Sequence, residues 1–244
     1  MKQNKYDDPS FFESYNRMPR SKEGLNAAGE WYVLQQMLPD LKDKRVLDLG
    51  CGLGWHCRYA AGQQAREVVG IDLSEKMLEK ARSYSTGSVI RYLRQSIEDI
   101  DFAPGSFDVV LSSLALHYVA DYESVCRKIF RFLAAGGSFV LSVEHPVFTA
   151  LATQDWFYDA AGKILHWPVD WYQQEGVRHT SFLGQQVIKY HRTTATLVNT
   201  LITAGFMIMN IAEPQPAPEM ISRYPEMIDE IRRPVFLMIA AQKP

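Results

Sequence analysis

Asp48, Gly50, Gly52, Gly54 and Asp72 are the residues whose types and spacing say most about chemistry. The three glycines stand on alternate positions directly after the short apolar run Val46, Leu47 and Leu49. Without a Cβ the backbone can approach a ligand closely there, and the amides that open the following helix, from about Trp55, face the same space. Two ligands compete for such a turn. A dinucleotide turn wants G-x-G-x-x-G, but the third glycine comes one position early and Trp55 occupies the expected slot, which counts against NAD and an NAD-dependent oxidoreductase. The other reading needs an acid two residues before the first glycine and a second at the end of the next strand. Asp48 and Asp72 stand at those positions, and Asp72 could accept both hydroxyls of a ribose. Cys51, inside the turn, reads as a small packing residue rather than a nucleophile.

His117 follows the fourth apolar run, at the rim where open α/β sheets bind ligands, and is the first candidate for a general base or substrate contact. Glu144, His145 and Pro146 end the fifth run at the same rim, which makes His145 the second catalytic candidate. His191 and Arg192 close a later insertion and can equally anchor it. No metal is expected, because Cys51, Cys57 and Cys126 are odd in number and lack the spacing of paired ligands.

These residues need elements to position them. Residues 1 to 22 read as a loosely helical arm, and Ala27, Trp31, Leu34 and Leu38 trace one face of a helix from Glu23 that Pro39 ends. After the first strand and glycine turn, Val68 to Asp72 is a second strand. Ser74 caps a helix with Met77, Leu78, Ala81 and Tyr84 on its apolar stripe. Val89 to Leu93 and Phe107 to Ser112 are the third and fourth strands. A helix capped by Asp121 runs on until Gly136 and Gly137 stop it, and Ser138 to Val143 is the fifth strand. Strand and helix alternate, so the crossovers should be right-handed and the sheet mostly parallel with helices on both faces.

The pattern breaks at Pro146. Aromatic residues, among them Trp156, Trp167 and Trp171, crowd between turn signals from Val147 to Tyr190, with short antiparallel strands expected in KILHWPV and QQVIKYH. A helix from about Thr194 to Ala204, a strand Phe206 to Ile211, a helix Met220 to Ile231 and a last strand Val235 to Ala241 complete the chain, bringing the strands to seven.

Composition bounds the function. The 244 residues are 47% hydrophobic and 22% charged, with 26 basic against 28 acidic side chains and a net charge of −2. That balance, without a basic block, argues against nucleic acid as partner. The polar N-terminus lacks the apolar segment of a leader, no run is long enough to span a membrane, and the odd cysteine count fits a reducing compartment, so a cytoplasmic protein is expected.

The string DLGCGLG, with Asp72 one strand later, resembles the motif of the class I S-adenosylmethionine-dependent methyltransferases. The segment RQSIEDIDFAPGSFDVVLSSLALHYV and the closing order of helix, GF, strand, EP and terminal strand resemble the same family. The resemblance implies a seven-stranded Rossmann-like, doubly wound α/β sheet, mostly parallel with an antiparallel last strand. It implies S-adenosylmethionine as cofactor, with S-adenosylhomocysteine as product. Carried over by position, Asp48 helps hold the methionine ammonium group, and Gly50, Cys51, Gly52 and Gly54 lie along methionine and ribose. Asp72 binds ribose, and Leu73 and Met77 flank adenine. Ser96, Ile97 and Glu98 form the adenine loop, and Leu114 lies under the methionine moiety. The family often has an acid where Ser96 stands, so recognition of the adenine amino group falls to Glu98 or to backbone carbonyls.

The expected organisation is a single domain. It comprises an arm and helix (1–38), a cofactor-binding half (40–146), the aromatic insertion as a lid over the substrate (147–190) and a C-terminal helix and strand pair (191–244). Tyr6, Tyr15 and Arg17 are placed to close over the cofactor from the other side. The expected activity is methyl transfer to the O, N or C nucleophile of a small molecule. A non-catalytic S-adenosylmethionine-binding regulatory protein is the alternative from another class.

Overall fold

The computed structural model of the protein describes residues 3–244. In chain order the strands are β1 (Arg45–Leu49), β2 (Glu67–Asp72), β3 (Ile90–Arg94), β4 (Phe107–Ser113) and β5 (Leu133–Glu144). Two hairpins follow, β6 (Phe157–Tyr158) with β7 (Ile164–His166) and β8 (Gly176–Phe182) with β9 (Gln185–His191), and then β10 (Met207–Ala212) and β11 (Phe236–Gln242). Seven strands make one sheet in the order β10-β11-β5-β4-β1-β2-β3. β1 to β5 run parallel to one another, and β11 lies antiparallel between β5 and β10. This is the Rossmann-like α/β sheet expected from the sequence.

The helices are α1 (Pro9–Arg17), α2 (Pro19–Glu23), α3 (Trp31–Met37), α4 (Trp55–Gly62), α5 (Glu75–Tyr84), α6 (Tyr122–Phe132), α7 (Pro146–Thr149), α8 (Thr194–Thr203) and α9 (Pro218–Arg223). One face of the sheet buries Leu47, Leu49, Ile71 and Val110 against α6 and α8. The other packs Val46, Val68 and Val109 against α4 and α5, and Leu111, Val140 and Met238 against Leu34 of α3. Successive side chains of a strand point to opposite faces. Asp48 therefore points to the α4 side, with Val46, while its neighbours Leu47 and Leu49 fill the core beneath α6.

Three expected elements differ. The helix from Glu23 is broken: a 3-10 turn at Gly24–Ala27 leads through an extended Ala28 into α3. Gly24 holds φ +64° with its Cα against the Trp55 indole, where any Cβ would collide with the ring, so the chain turns there instead of continuing as helix. α6 ends at Phe132, before the glycines, and Leu133 already pairs with Phe107 in β5. Pairing resumes at Ser138 with Val109, so residues 134 to 137 bulge outward and Gly136 takes φ +74° in the bulge. The helix expected from Met220 to Ile231 is α9 followed by a 3-10 segment, Pro225–Arg232. Pro225 cannot donate a helical hydrogen bond and forces Tyr224 out of helical geometry.

Among the described residues no helix is long and apolar enough to cross a membrane, and no group of histidines, cysteines and acids could hold a metal ion. All three cysteines are free thiols and buried.

Candidate functional site

The turn between β1 and α4 passes Gly50, Gly52 and Gly54 with φ of +74°, +51° and +71°. The amides of Gly50 and Cys51 both donate to the Ile71 carbonyl at 2.8 Å, which pins the turn to the end of β2. The glycines face different neighbours. A Cβ on Gly50 would run into Ala115, and one on Gly54 into the Tyr92 hydroxyl, whereas Gly52 faces open space. The first and third thus allow close packing, and the second leaves backbone bare to a ligand.

Asp72 is tied into the same turn. Its Oδ2 accepts from the Gly52 amide at 2.9 Å and its Oδ1 from the Ser74 amide at 2.8 Å. Burial pushes its carboxyl above the usual value, against these two bonds. Each oxygen keeps a further lone pair, and Asp72 borders a cavity of about 800 Å³, toward the upper end of the roughly 300–1,000 Å³ typical of ligand sites.

Gly50, Cys51, Gly52, Leu73, Met77, Ser96, Ile97, Glu98, Leu114 and His117 also line this cavity. The Ser96 hydroxyl caps the 3-10 turn at Ile97–Asp99 by accepting from the Glu98 amide, and Glu98 Oε1 accepts from the Ala120 amide at 3.1 Å. Leu114 sits at φ +54°, a conformation that costs a non-glycine residue about 1–2 kcal/mol and that bonds from its amide to Ser142 hold in place. Burial raises the Cys51 thiol to about 11, so at neutral pH it is no nucleophile.

Besides Arg17 of the arm, three of the residues expected at the site do not border the cavity. Asp48 is 1% exposed, on the α4 side of β1. Its Oδ2 accepts from the Cys57 thiol at 3.2 Å, its Oδ1 has no partner among the described residues, and burial pushes its pKa up to about 7. Gly54 shapes the start of α4 from behind. His145 caps α7 with Nδ1, which accepts from the Val147 amide, and Nε2 meets Glu213 at 2.8 Å, so both ring nitrogens are engaged away from the cavity.

His117 does reach the cavity. Burial drives its pKa down to about 4, against the attraction of Glu144, so the ring is neutral near pH 7. Nδ1 accepts the Glu144 amide at 3.3 Å, which assigns the remaining proton to Nε2. In that form the ring offers its neighbours a donor. His191 is fully buried and bonds to Thr149 and to the Tyr172 carbonyl, and Arg192 donates to the Val119 and Ala120 carbonyls. His191 thus ties parts of the 147–190 segment to one another, and Arg192 ties its end to the loop before α6.

Tyr6 and Tyr15 reach the cavity as the arm residues expected there, whereas Arg20 and Tyr118 were not singled out from sequence. Tyr6 packs edge-on against Phe11 and Tyr15, and Tyr6, Tyr15, Arg20 and Tyr118 all border the cavity. Arg17, the arginine expected here, is exposed and paired with Glu13, one helix away from Arg20, which pairs with the buried Glu30. Ser21 Oγ, Glu30 Oε2 and Trp55 Nε1 are buried polar atoms without partners among the described residues, and all three residues stand in the cavity wall. Such atoms are costly unless something supplies their hydrogen bonds.

From the 147–190 segment the wall takes Phe148, Phe182, Ile188 and Tyr190, not the tryptophans. Trp167 stacks on Phe148, Trp156 meets Trp167 edge-on, and the Arg233 guanidinium lies 3.9 Å from the Trp167 ring centre. Behind this wall Lys189, 2% exposed, pairs with Glu144 at 2.6 Å and with Gln154 at 3.0 Å. A signal for it existed: Val187, Lys189 and His191 alternate along β9 and all point inward, and a lysine at an inward position requires a buried partner.

The comparisons with known proteins agree with this geometry. The model of a methyltransferase domain matches residues 47–141. The solved structure of an S-adenosylmethionine-dependent methyltransferase from Mesorhizobium loti is 43% identical, covers 90% of this chain and 100% of its own, and superimposes with a TM-score of 0.85. A Listeria monocytogenes protein assigned to the same class is 54% identical over 91% of this chain and 99% of its own, with a TM-score of 0.86. An uncharacterised Haemophilus influenzae protein is 35% identical over 98% of this chain and 96% of its length. The chain therefore belongs to the class I S-adenosylmethionine-dependent methyltransferases.

Proposed function

We propose that this enzyme methylates the O, N or C nucleophile of a small molecule inside the 800 Å³ cavity, in the cytoplasm that its three free thiols favour. The observation that carries the reading is the continuity of that cavity. It runs from the glycine turn and Asp72 past the end of β4 to Glu144, Phe148 and Tyr190, so cofactor and acceptor share one enclosure with apolar walls. In this reading the domain is single, and residues 147–190 cover the acceptor as a lid.

The wall fits the cofactor. Asp72 retains two acceptor sites for ribose, Gly52 leaves backbone uncovered, and Leu73, Met77 and Ile97 offer apolar contact to adenine. Trp55 Nε1 and Ser21 Oγ, buried without partners among the described residues, and the Arg20 guanidinium are polar groups suited to a zwitterionic amino-acid tail. Asp48, one layer behind, supports the turn through α4.

When bound, S-adenosylmethionine supplies a methyl group already activated by its sulfonium, so no metal or covalent residue is required. The chain's task is to hold the acceptor in line at attack distance and to exclude water. The neutral His117 orients the acceptor from its Nε2–H, and the arm and 147–190 segment close the two ends.

The test is transfer of a labelled methyl group from S-adenosylmethionine into a cell extract separated by size. Label should enter the low-molecular-weight fraction, and Asp72→Ala should lose S-adenosylhomocysteine affinity at least about tenfold through its missing ribose bonds. Label confined to RNA or protein would sink the small-molecule reading.

A further inference from the structure

The acceptor end of the cavity has a chemical signature of its own. Glu144 ends β5, which lies beyond β4 on the side away from β2 and Asp72, and its side chain is 15% exposed. Its Oε1 accepts from Lys189 and its Oε2 from Gln154 Nε2 at 3.1 Å. Thr180 completes the network by donating to Gln154 at 2.9 Å. Burial alone would raise the Glu144 carboxyl, but Lys189 and Gln154, joined by His117 only where that ring is protonated, hold it below the ordinary value. Three of the four network members come from the 147–190 segment, and the network reaches the cavity at Glu144. Each carboxylate oxygen still has a lone pair to give.

Tyr118 and Tyr190 stand near it; Phe148, further along the wall, is already stacked on Trp167 and has the Arg233 guanidinium 4.8 Å from its ring centre. The cations among the described lining residues are Lys5 and Arg20, both on the N-terminal arm, and Arg20 is occupied by Glu30. His117 adds no charge while neutral. Glu226 lines the cavity as well, so an anionic acceptor would meet like charge there, whereas Glu230 in the same wall is paired with Arg233. An ionised carboxylate beside aromatic faces is the arrangement that recognises a desolvated ammonium ion.

We infer that the methyl acceptor is a basic amine, bound as its ammonium ion against Glu144 and the rings of Tyr118 and Tyr190. This rests on the reading that a small molecule is methylated in this cavity. The ammonium first gives one proton to water, while Glu144, held below the ordinary carboxylate value, stays ionised and keeps the amine in place. The freed nitrogen lone pair then forms the N–C bond as the S–C bond breaks with its electron pair staying on sulfur. Glu144 is the group that touches the acceptor, and Lys189 is a positioning residue behind it.

The experiment is calorimetry on protein saturated with S-adenosylhomocysteine, with benzylamine, benzyl alcohol and benzoate as probes of one shape. Benzylamine should bind at least about tenfold more tightly than the other two. Glu144→Gln should remove that preference while S-adenosylhomocysteine binding stays within about twofold. Because that variant leaves a buried ammonium unpaired, the double variant E144Q/K189M is measured beside it and should show the same loss in a fully folded protein. Equal or tighter binding of the alcohol or of benzoate, no binding of benzylamine, or unchanged benzylamine affinity in the double variant overturns the inference. Wild-type protein that fails to bind S-adenosylhomocysteine overturns instead the cofactor assignment beneath it.

Discussion

Asp48 shows how one residue can be legible as chemistry and still have its role decided by neighbours. Its place before the glycines marked it as part of the ligand turn, yet its side chain points to the far side of β1, where the Cys57 thiol meets one oxygen and burial raises its pKa to about 7 from 3.8. The folded-state value lies above the unfolded one, so the unfolded chain gives up this proton near pH 4 and the folded protein keeps it until about 7. Stability is therefore lost as pH rises through that window, by at most about 1.4 kcal/mol per pH unit, and the loss levels off above it. Asp48→Asn has no such proton to lose. Its unfolding free energy relative to wild type should climb between pH 4 and 7 and then flatten, as measured by urea denaturation at each pH. A difference that is flat over the whole range would show that Asp48 is not held protonated by burial. Asp72 behaves in the opposite way: its place at the end of β2 was readable, and the turn itself holds its oxygens beside the cavity through the Gly52 and Ser74 amides.

At the scale of elements, the β8 and β9 hairpin is joined to the sheet by a buried ion pair as well as by apolar contact. Lys189 reaches from β9 to Glu144 at the end of β5, and His191 and Arg192 add bonds at the base of the hairpin. Removing one member of a buried pair leaves an uncompensated charge, whereas removing both is far cheaper. Lys189→Met should cost on the order of 3 kcal/mol, and E144Q/K189M should recover much of that loss in chemical denaturation. A double variant no more stable than Lys189→Met would mean that the pair is not what joins the hairpin to the sheet. Strands in KILHWPV and QQVIKYH were expected between the turn signals, but their partners were not legible, because pairing between short segments is set by the turns and by packing rather than by composition. The C-terminal helix is the converse case: one helix is expected from Met220 through Pro225 to Ile231, and Pro225 breaks it into α9 and a 3-10 segment.

For the whole molecule, the cavity joins parts that are distant in the chain: the arm, the glycine turn, the ends of β4 and β5, the 147–190 segment and the C-terminal 3-10 segment all contribute to its wall. A ligand that binds this assembled state and not the unfolded chain stabilises it by mass action. S-adenosylhomocysteine at a hundred times its dissociation constant should add about 2.7 kcal/mol, or a rise in Tm of roughly 5–10 °C for a domain of this size. NADH at the same concentration should leave Tm unchanged. A shift with NADH and none with S-adenosylhomocysteine would reverse the assignment of the turn.

The sequence by itself determined the sheet, its helices and the glycine turn with Asp72, because these depend on local patterns: apolar runs of strand length, capping residues, and glycines at fixed spacing from acids. It also led to the right family through DLGCGLG. What only the tertiary structure decided is which side chains share the cavity. His145 and Arg17 lie outside it while Tyr118, Trp55 and Arg20 lie within, and Trp156 and Trp167 pack on Arg233 while Glu144, backed by Lys189, borders the cavity. The direction of a side chain at a strand end or in a loop depends on contacts made across long stretches of chain, and no local pattern carries that information.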